Sequence, residues 1–370
     1  MKHPHLVLFF TTGISLEKWD EIGMLDREVA LYRNLQCRGI RVSFVTYGGA
    51  GDLVYSKRLP GIRILPNRWG LKDKTYRRVL PILHGPFLAG ASVYKTNQTA
   101  GGDVTLKAAR FWRKPMVARC GYMWSEFASR EHGVGSIQAH RALEKEKLVF
   151  AGATRVVVTT EAMKEDVLRR IPAAAGKTRV IPNYVDADRF QPTGEKCNEG
   201  EILFVGRLSS QKNVEALLKA LRPLDVTLTI IGDGPLKAPL RKRFGTLNGR
   251  VRWLGNVPSE NLPAYMNRAA LFVLPSHYEG HPKSLIESMA CGLAVIGADS
   301  PGIREVIRHG ENGWLCGKES DDIRRAVLHL LASPEKRIAL GKGARSYVKK
   351  WFSLDRIVAL ELSLLRDFLK

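Results

Sequence analysis

The chain has 370 residues, of which 45% are hydrophobic and 25% are charged. This length can hold two domains, and the balanced composition excludes an intrinsically disordered or low-complexity protein. The formal net charge is +22 and leans toward the first half of the chain, so an anionic partner is expected. The five cysteines have irregular spacing and no metal-ligand pattern, which fits a reducing compartment.

The chain start has no pattern typical of a secretory signal. The first apolar run, Leu6–Phe10, is too short, and no cleavage-site pattern follows it. The longest apolar zone, Val79–Tyr94, contains two prolines and several other interruptions. We therefore expect a cytoplasmic protein, free or held peripherally at the inner face of the membrane.

In the first half, short apolar runs alternate with amphipathic segments. The runs are predicted strands: Leu6–Phe10, Val42–Thr46, Ser92–Lys95, Pro115–Arg119, Arg155–Thr159 and Arg179–Ile181. The segments between them are predicted helices: Asp26–Arg38, Val104–Trp112, Ile137–Phe150 and Glu161–Arg170. Buried strands that alternate with helices predict βαβ units and a parallel sheet.

The same alternation restarts after a polar stretch at 191–200, which is the predicted linker. Predicted strands follow at Glu201–Val205, Thr227–Ile231, Val251–Leu254, Leu271–Leu274 and Ala294–Ile296, with a helix at Asn213–Leu221. The pattern predicts two doubly wound α/β domains, residues 1–190 and 191–353, facing a central cleft. The last segment, Leu354–Leu369, has apolar residues at helical spacing and could pack on either domain.

Much of the positive charge of the first half is concentrated in one run. It comprises Lys57, Arg58, Arg63, Arg68, Lys72, Lys74, Arg77 and Arg78, with Trp69 and Tyr76 among them. Cations mixed with aromatics suit an anionic membrane face, at about 1 kcal/mol per cation near the surface, and also suit nucleic acid. The run could also be an ordinary solvated surface that binds no partner.

The segment from Phe204 to Asn213 predicts a strand, a glycine turn at Gly206 and a following helix. Arg207 and Lys212 would lie near the N-terminus of that helix. Cations there oppose the helix dipole, so their placement is favourable only with an anion present, although two ordinary surface cations would also fit. A second strand ends in the glycine-rich turn of Gly232 and Gly234, which alone indicates little.

Two carboxylates, Glu279 and Glu287, flank a Gly/Pro loop that leads into a helix predicted over Ser284–Ala290. Such a loop directs backbone N–H groups toward a ligand above the helix N-terminus, which suits a phosphate. The arrangement predicts a site for a phosphate-bearing ligand between the two carboxylates.

One loop of the first half, Arg119–Trp124, also follows a predicted strand. Its Tyr122 and Trp124 could stack on a sugar ring or could be ordinary loop aromatics. The long connection from Thr11 to Asp26 suggests a mobile acceptor loop. No P-loop, Gly-x-Ser-x-Gly or histidine metal-ligand pattern is present in the sequence.

Taken together, these motifs resemble the family 4 (group 1) retaining glycosyltransferases, which have the GT-B fold. The resemblance rests on five motifs: Val205-Gly-Arg-Leu with Lys212-Asn, Gly232-Asp-Gly-Pro, the run from Glu279 to Gly292, Gly310-Glu-Asn-Gly, and Ile181-Pro-Asn with Arg189-Phe190. It is strong over residues 179–316 and looser before them.

The resemblance implies a role for each site residue. Arg207 and Lys212 would hold the donor diphosphate, Glu287 the ribose hydroxyls, and Glu279 with the backbone after it the transferred sugar. The catalytic set would be Arg207, Lys212 and Glu279. The donor-binding set would be Gly206, Gly232, Gly234, Gly280, His281, Pro282, Lys283, Ser284, Leu285 and Glu287. The resemblance also implies that the helix at 354–370 crosses back to the first domain.

Two positions depart from the family pattern. Cys120 stands where many members have a histidine, and a neutral thiol cannot replace the hydrogen bonding of an imidazole. Tyr184 stands where glycine is usual, and this change is expected to affect only the turn.

The expected activity is retaining transfer of a hexose from a nucleoside diphosphate sugar, UDP-linked in preference to GDP-linked, to a glycan or polyprenyl-linked acceptor in cell-surface polysaccharide synthesis. No cofactor or metal ion is expected, because Arg207, Lys212 and the N-terminus of the helix after Pro282 would stabilise the charge that develops on the leaving diphosphate. Alternatives are a nucleotide-sugar epimerase, a sugar-phosphate synthase, and, less favoured, a nucleic-acid-binding protein. A catalytically inactive partner module is disfavoured by the intact Arg207, Lys212, Glu279 and Glu287.

Overall fold

A computed structural model describes residues 4–195, 197–247 and 249–368. It divides into two compact units. The first comprises the described residues 4–21, Glu28–Pro182 and 358–368, and the second comprises Ile22–Arg27 and Asn183–Ile357.

The first unit contains a seven-stranded parallel sheet of order β3-β2-β1-β4-β5-β6-β7. Its strands are β1 His5–Phe9, β2 Arg41–Val45, β3 Ile62–Leu65, β4 Val93–Thr96, β5 Met116–Cys120, β6 Arg155–Val158 and β7 Thr178–Val180. Its helices are α1 Leu16–Glu21, α2 Leu25–Cys37, α3 Asp73–Leu83, α4 Gly85–Ala89, α5 Gly102–Trp112, α6 Trp124–His132, α7 Ile137–Gly152 and α8 Glu161–Arg170, and the first three residues of α2 count with the second unit. Short 3₁₀ helices occupy Ala50–Lys57 and Pro172–Ala174.

The second unit contains a six-stranded parallel sheet of order β10-β9-β8-β11-β12-β13. Its strands are β8 Asn198–Val205, β9 Thr227–Ile231, β10 Val251–Gly255, β11 Ala269–Leu274, β12 Val295–Ala298 and β13 Trp314–Cys316. Its helices are α9 Val214–Leu221, α10 Lys237–Phe244, α11 Leu262–Arg268, α12 Lys283–Ala290, α13 Ser320–Leu331 and α14 Pro334–Trp351. The final helix, α15 Leu354–Leu365, passes from the second unit into the first and ends in a 3₁₀ turn at Arg366–Phe368.

Each sheet is buried on both faces, as expected when helices cover a parallel sheet. The apolar, β-branched runs of the strands explain this burial. Successive side chains of a strand point to opposite faces of the sheet, so a continuous apolar run packs against the helices on both sides. In β6, for example, Val156, Val157 and Val158 are all fully buried. The two cores are therefore separate apolar clusters, each built around its own sheet.

The predicted alternation of strands and helices is confirmed, and two edge strands were missed. β3 carries an arginine between apolar residues, and β13 is three residues long beside Gly313. Both lie at sheet edges, where the apolar signal is weak. The strand predicted from Glu201 begins earlier, at Asn198, inside the predicted polar linker. Across the described ranges 4–195, 197–247 and 249–368, no helix has both the length and the apolar character needed to cross a bilayer.

A buried ion pair joins the last helix to the first sheet. Lys95, in the central strand β4, is fully buried, and its ammonium group donates to the carboxylate of Glu361 in α15, which is 1% exposed. Both residues belong to the first unit. The pair fixes this part of α15 against the sheet through a contact that sequence spacing does not reveal.

Helix α14 supports α12 from behind through close backbone contacts. A Cβ on Gly341 would lie 2.0 Å from the carbonyl oxygen of Gly292, and one on Gly343 would lie 2.1 Å from that of Glu311. Arg345 Nη1 donates to the carbonyl of Ala290, the last residue of α12, at 2.6 Å. The glycines therefore allow α14 to approach the loop that follows α12.

Candidate functional site

Arg207 lies on a loop held at the carboxyl end of β8. The amide of Gly206 donates to the carbonyl of Ile231 at 2.9 Å, and that of Leu208 donates to the carbonyl of Asp233 at 2.9 Å. Between these anchored positions the Arg207 side chain is exposed. Ligands of parallel α/β sheets bind at this end of the strands, so Arg207 is well placed to meet one.

Gly232 and Gly234 permit the close approach of two loops. Gly232 has φ +132°, and a Cβ there would lie 2.0 Å from the carbonyl oxygen of Gly206. Gly234 has φ +158°, and its Cβ would lie 2.4 Å from the carbonyl oxygen of Leu208. The structure thus gives these two predicted donor-binding glycines a packing role beneath the Arg207 loop, and their contact with a donor stays a prediction.

Replacing Gly232 by alanine should lower the free energy of unfolding by about 2–4 kcal/mol, because backbone strain adds to a collision with backbone atoms. The matched control is Gly249→Ala, at φ +85° with no atom within 4 Å of the added Cβ. It should lose only about 1 kcal/mol, the cost of the positive φ. Urea denaturation of both variants provides the comparison. Equal losses would show that the loop contact does not matter.

Lys212 and Glu279 form an ion pair across the site. Lys212 ends a 3₁₀ helix at Ser210–Lys212, and its Nζ lies 2.5 Å from Glu279 Oε1. The two side chains are 14% and 7% exposed. The Lys212 stem also lies beside Gly206, whose added Cβ would be 3.5 Å from Lys212 Cε. The glycine turn therefore brings Lys212 next to the Arg207 loop and to the carboxylate predicted to face the sugar.

The loop that carries Glu279 is fixed by backbone contacts. The Glu279 amide donates to the carbonyl of Pro301 at 2.8 Å, and Gly302, at φ +82°, passes so close that its Cβ would be 2.4 Å from the Glu279 carbonyl oxygen. Gln211 Nε2 donates to the carbonyl of Tyr278 at 2.9 Å. The position of the carboxylate is thus set by neighbours on both sides.

The loop Gly280–Pro282 leads into α12, which begins at Lys283 and has Pro282 at its N-cap. The predicted start at Ser284 was one residue late. Lys283, Ser284 and Leu285 form the first turn, whose amides have no partner within the helix and carry the positive end of its dipole. The Leu285 side chain is fully buried, so only its backbone could meet a ligand.

His281 faces the interior of the second unit. Its side chain is 5% exposed, and its ring meets that of Phe352 edge to face at 4.7 Å between centroids. Its carbonyl accepts from Asn183 Nδ2 at 2.6 Å. The structure therefore places this imidazole against the core, and a donor contact from His281 stays a prediction for its backbone.

Glu287, in the middle of α12, is 1% exposed and paired with Arg27. Arg27 Nη1 lies 3.2 Å from Glu287 Oε1 and 3.4 Å from Oε2, and both residues count with the second unit. A buried carboxylate needs such a partner, since desolvation of an unpaired charge is costly. Sequence reasoning did not single out Arg27, which lies 260 positions away.

Tyr184 has more than the turn role expected of it. Its side chain is 8% exposed, and its hydroxyl donates to the carbonyl of Arg27 at 2.6 Å. The ammonium of Lys283 lies 5.6 Å from the centre of its ring. Tyr184 therefore contacts both Arg27, which pairs with Glu287, and Lys283, the first residue of α12. In the sequence, the only signal for Tyr184 was that it replaces the usual glycine.

In the first unit, the loop after β5 has ordinary packing partners. Cys120 is fully buried, its thiol donates to the carbonyl of Tyr122 at 2.9 Å, and burial raises its pKa to about 12. The ring of Tyr122 packs on Phe127, and Lys145 lies 5.7 Å from the ring centre of Trp124. Cys120 is thus a neutral thiol, as expected.

The basic run of the first half is less uniform than its sequence suggests. Tyr76 was grouped with surface aromatics, but it is 1% exposed, and its hydroxyl lies 2.9 Å from Nε2 of His84. Arg58 pairs with Asp20 at 2.7 Å. Some of the apparent excess charge is therefore neutralised locally.

No group of three or more His, Cys, Asp or Glu side chains is arranged to hold a metal ion within residues 4–195, 197–247 and 249–368. Metal independence remains a proposal that rests on the chemistry of the site.

Comparison with known proteins identifies two family models along the chain. Residues 29–189 match the model described as Glycosyltransferase Family 4, and residues 186–347 match Glycosyl transferases group 1. An uncharacterized glycosyltransferase of Methanocaldococcus jannaschii is 32% identical over 44% of this chain and 47% of its own length. A GDP-mannose-dependent alpha-(1-6)-phosphatidylinositol monomannoside mannosyltransferase of Mycobacterium tuberculosis is 28% identical over 53% of this chain and 56% of its own. The chain thus spans about half the length of these curated relatives.

Solved structures support the fold. The Anabaena protein HepE, crystallised in complex with UDP and glucose, superposes with a TM-score of 0.79 at 18% identity, over 99% of this chain and 100% of its own. The two Rossmann-like parallel sheets and this likeness confirm the predicted GT-B fold. The two family models adjoin, and together they assign residues 29–347 of the chain to the glycosyltransferases of family 4 and group 1.

Proposed function

We propose that the protein transfers a hexose from a nucleoside diphosphate sugar to an acceptor hydroxyl, with retention of anomeric configuration. The observation that carries this proposal is the Lys212–Glu279 ion pair, set beside the Arg207 loop. It combines cations for a diphosphate with a carboxylate for a sugar. Nucleic-acid binding gives no reason for a carboxylate here, whereas an epimerase or a sugar-phosphate synthase on the same fold would bind the same class of donor and is distinguished by incubation with donor alone or with a sugar phosphate.

Departure of the diphosphate requires stabilisation of developing negative charge. The exposed guanidinium of Arg207, the ammonium of Lys212 and the first turn of α12 supply fixed positive groups for it. These groups would do the work that a divalent metal ion does in other transferases, so the proposed reaction is metal-independent.

The two carboxylates have different proposed roles. Glu279 binds hydroxyls of the transferred sugar while Lys212 balances its charge, and Glu287 binds the ribose hydroxyls while Arg27 balances its charge. Retaining glycosidases instead use two carboxyls about 5–5.5 Å apart as acid and nucleophile. Here Glu279 precedes the helix and Glu287 lies within it, each with its own cation. We therefore propose attack by the acceptor on the face from which the diphosphate leaves.

UDP-linked sugars are the favoured donors and GDP-linked sugars the second choice. HepE bound to UDP supports the first and the mycobacterial relative supports the second. The proposed acceptor is a glycan or polyprenyl-linked glycan of cell-surface polysaccharide synthesis. The net charge of +22 supports peripheral attachment to an anionic membrane surface at the cytoplasmic side.

The test is thermal denaturation with UDP-, GDP- and ADP-sugars, followed by turnover of the best stabiliser. A true donor should raise Tm, by the equivalent of about 2.7 kcal/mol at a hundredfold excess over Kd. Glu287→Gln should reduce this rise, whereas Glu335→Gln, an exposed position in α14, should not. Each variant is compared with its own ligand-free Tm, which separates donor binding from loss of the Arg27 pair.

Incubation with donor alone then separates transfer from epimerisation. A transferase leaves the sugar configuration unchanged and needs an acceptor, while an epimerase converts the donor by itself. Product with a sugar phosphate as acceptor would indicate a synthase. The absence of any Tm rise with all three donor classes would count against the proposal.

A further inference from the structure

Gln211 joins two neighbouring loops of the proposed donor site. The first, the β8 loop (residues 209–213), follows β8, and the second, the β11 loop (residues 275–279), follows β11, the strand beside β8 in the sheet. The amide of His277 donates to the carbonyl of Gln211 at 2.8 Å. Gln211 Nε2 donates in return to the carbonyl of Tyr278 at 2.9 Å. The β8 loop therefore holds the β11 loop through both the backbone and the side chain of one residue.

Asn213 fixes the β8 loop at its last residue. Its backbone has φ +51°, a left-handed conformation that asparagine adopts more readily than most residues. Its Nδ2 donates to the carbonyl of Pro275 in the β11 loop at 3.2 Å and to that of Lys318, beyond β13, at 2.9 Å. Both hydrogens of this amide are thus used. Gln211 is therefore carried on a loop that is tied to two other loops of the second unit.

The side chain of Gln211 also reaches the carboxylate of Glu279. Gln211 Nε2 lies 3.4 Å from Glu279 Oε2, while Lys212 Nζ lies 2.5 Å from Oε1. Each oxygen of the carboxylate therefore has its own donor. The longer contact is weak, because N–H···O hydrogen bonds are strongest at about 2.9–3.0 Å. Its effect is on orientation, since a carboxylate that turned about its last bond would lose both contacts together.

The neighbours of the Gln211 amide fix which end of it faces them. The Tyr278 carbonyl and the Glu279 carboxylate can only accept hydrogen bonds, so the NH₂ group and not the oxygen must face both. The two hydrogens of that group match the two acceptors. A glutamate here would set a second carboxylate against Glu279, and a methionine of similar length would leave both acceptors without this donor. The position therefore needs a neutral donor of this length.

A carboxylate held in this way accepts sugar hydroxyls only from fixed directions. Lys212 and Gln211 each occupy one oxygen of Glu279, and the remaining lone pairs keep the directions that these donors leave. Epimeric hexoses differ in the direction of a single hydroxyl group. A site built to hydrogen-bond one such hydroxyl discriminates strongly against a sugar that cannot supply it, because polar groups of the site are then left unpaired. The orientation of Glu279 would thus decide which epimer is bound.

We propose that Gln211 is a positioning residue that determines the specificity of the enzyme for one epimer of the donor sugar. It acts through Glu279 and has no contact of its own with the sugar. This role rests on one part of the proposed function, the binding of sugar hydroxyls by Glu279. The nucleoside and the diphosphate bind in that proposal through Glu287, Arg207 and the first turn of α12, so their binding should not depend on Gln211.

The test compares Gln211→Met with Gln138→Met, a change at an exposed glutamine of α7 in the first unit. Initial rates are measured with two donors that are epimers at one carbon, UDP-glucose and UDP-galactose, or GDP-mannose and GDP-glucose if GDP-sugars are the donors. In Gln211→Met, kcat/KM for the preferred epimer should fall by at least about tenfold relative to the other, while the Kd for the nucleoside diphosphate alone should change by less than about twofold. Gln138→Met should keep both the rates and their ratio.

A purely structural role of Gln211 would give a different pattern. Loss of affinity for the nucleoside diphosphate together with a lower Tm in Gln211→Met would assign the residue to loop stability and overturn the proposal. An unchanged ratio of the two kcat/KM values, or equal use of both epimers by the unmodified protein, would also overturn it. Turnover of no donor by the unmodified protein would remove the proposed function and this role with it, whereas normal turnover with an unchanged ratio would remove only the role of Gln211.

Discussion

Replacing Arg207 by alanine should lower kcat/KM for the donor sugar by about 10²–10³-fold, or roughly 3–4 kcal/mol of transition-state stabilisation. The proposed role of Arg207 is to bind a diphosphate whose charge grows as the glycosidic bond breaks. Its side chain is exposed on an anchored loop, so the substitution should leave the fold unchanged. Most of the loss should therefore fall on kcat.

The control for this prediction is Arg241→Ala, an exposed arginine in α10 with the same change of charge. It should turn over like the unmodified protein, with an equal Tm. Initial rates with the donor identified by thermal denaturation provide the measurement. Full activity in Arg207→Ala would remove the diphosphate role of this residue and, with it, the main catalytic step proposed above.

The second large effect concerns the buried Lys95–Glu361 pair. Glu361→Ala should lower the free energy of unfolding by about 3–5 kcal/mol, because it leaves a fully buried ammonium without its carboxylate. The double variant Lys95→Met with Glu361→Leu should recover most of this loss, since both desolvation penalties disappear together. Urea denaturation of the single and double variants measures the difference. A double variant as unstable as the single one would show that packing, and not charge, dominates here.

The stability lost in Glu361→Ala should also depend on pH. The direction of this dependence follows from the pKa of Lys95. Burial lowers the pKa of Lys95, and Glu361 opposes this shift. Without Glu361 the folded pKa falls further, so the unfolded chain binds a proton that the folded chain does not. Stability of the variant must then rise with pH up to the unfolded lysine value of about 10.4. The difference from the unmodified protein should be smaller at pH 9.5 than at pH 7.

Short-range patterns in the sequence predicted most of the fold and pointed to several residues of the proposed donor site. The apolar runs marked every central strand, because a strand that is buried on both faces is a nearly continuous apolar run and has no alternating polar residues. Glu279, Pro282 and the start of α12 followed from loop and helix chemistry within ten residues of each other. Their assembly with Lys212 depended on the family resemblance.

The partners of these residues could not be predicted. Arg27 meets Glu287 from 260 positions away, and Lys95 meets Glu361 from 266 away. Nothing local distinguishes these two cations from the other lysines and arginines of a basic chain. The burial of Tyr76 could not be predicted for a related reason. It lies in a basic stretch of sequence, but its position along the helix places it on the buried face of α3. Charge in sequence is a poor guide to which side chains end in solvent.

Helix α14 sets a limit on how this protein could be made more thermostable. Alanine favours helices over glycine by about 1 kcal/mol, so any propensity-based redesign would replace Gly341 and Gly343 first. Here the added methyl groups would press on the carbonyls of Gly292 and Glu311. The disturbance would pass to the end of α12, whose first turn is proposed to face the leaving diphosphate. The redesign would therefore lose stability at these two contacts, and activity at the site beyond them, in place of the expected gain in heat resistance.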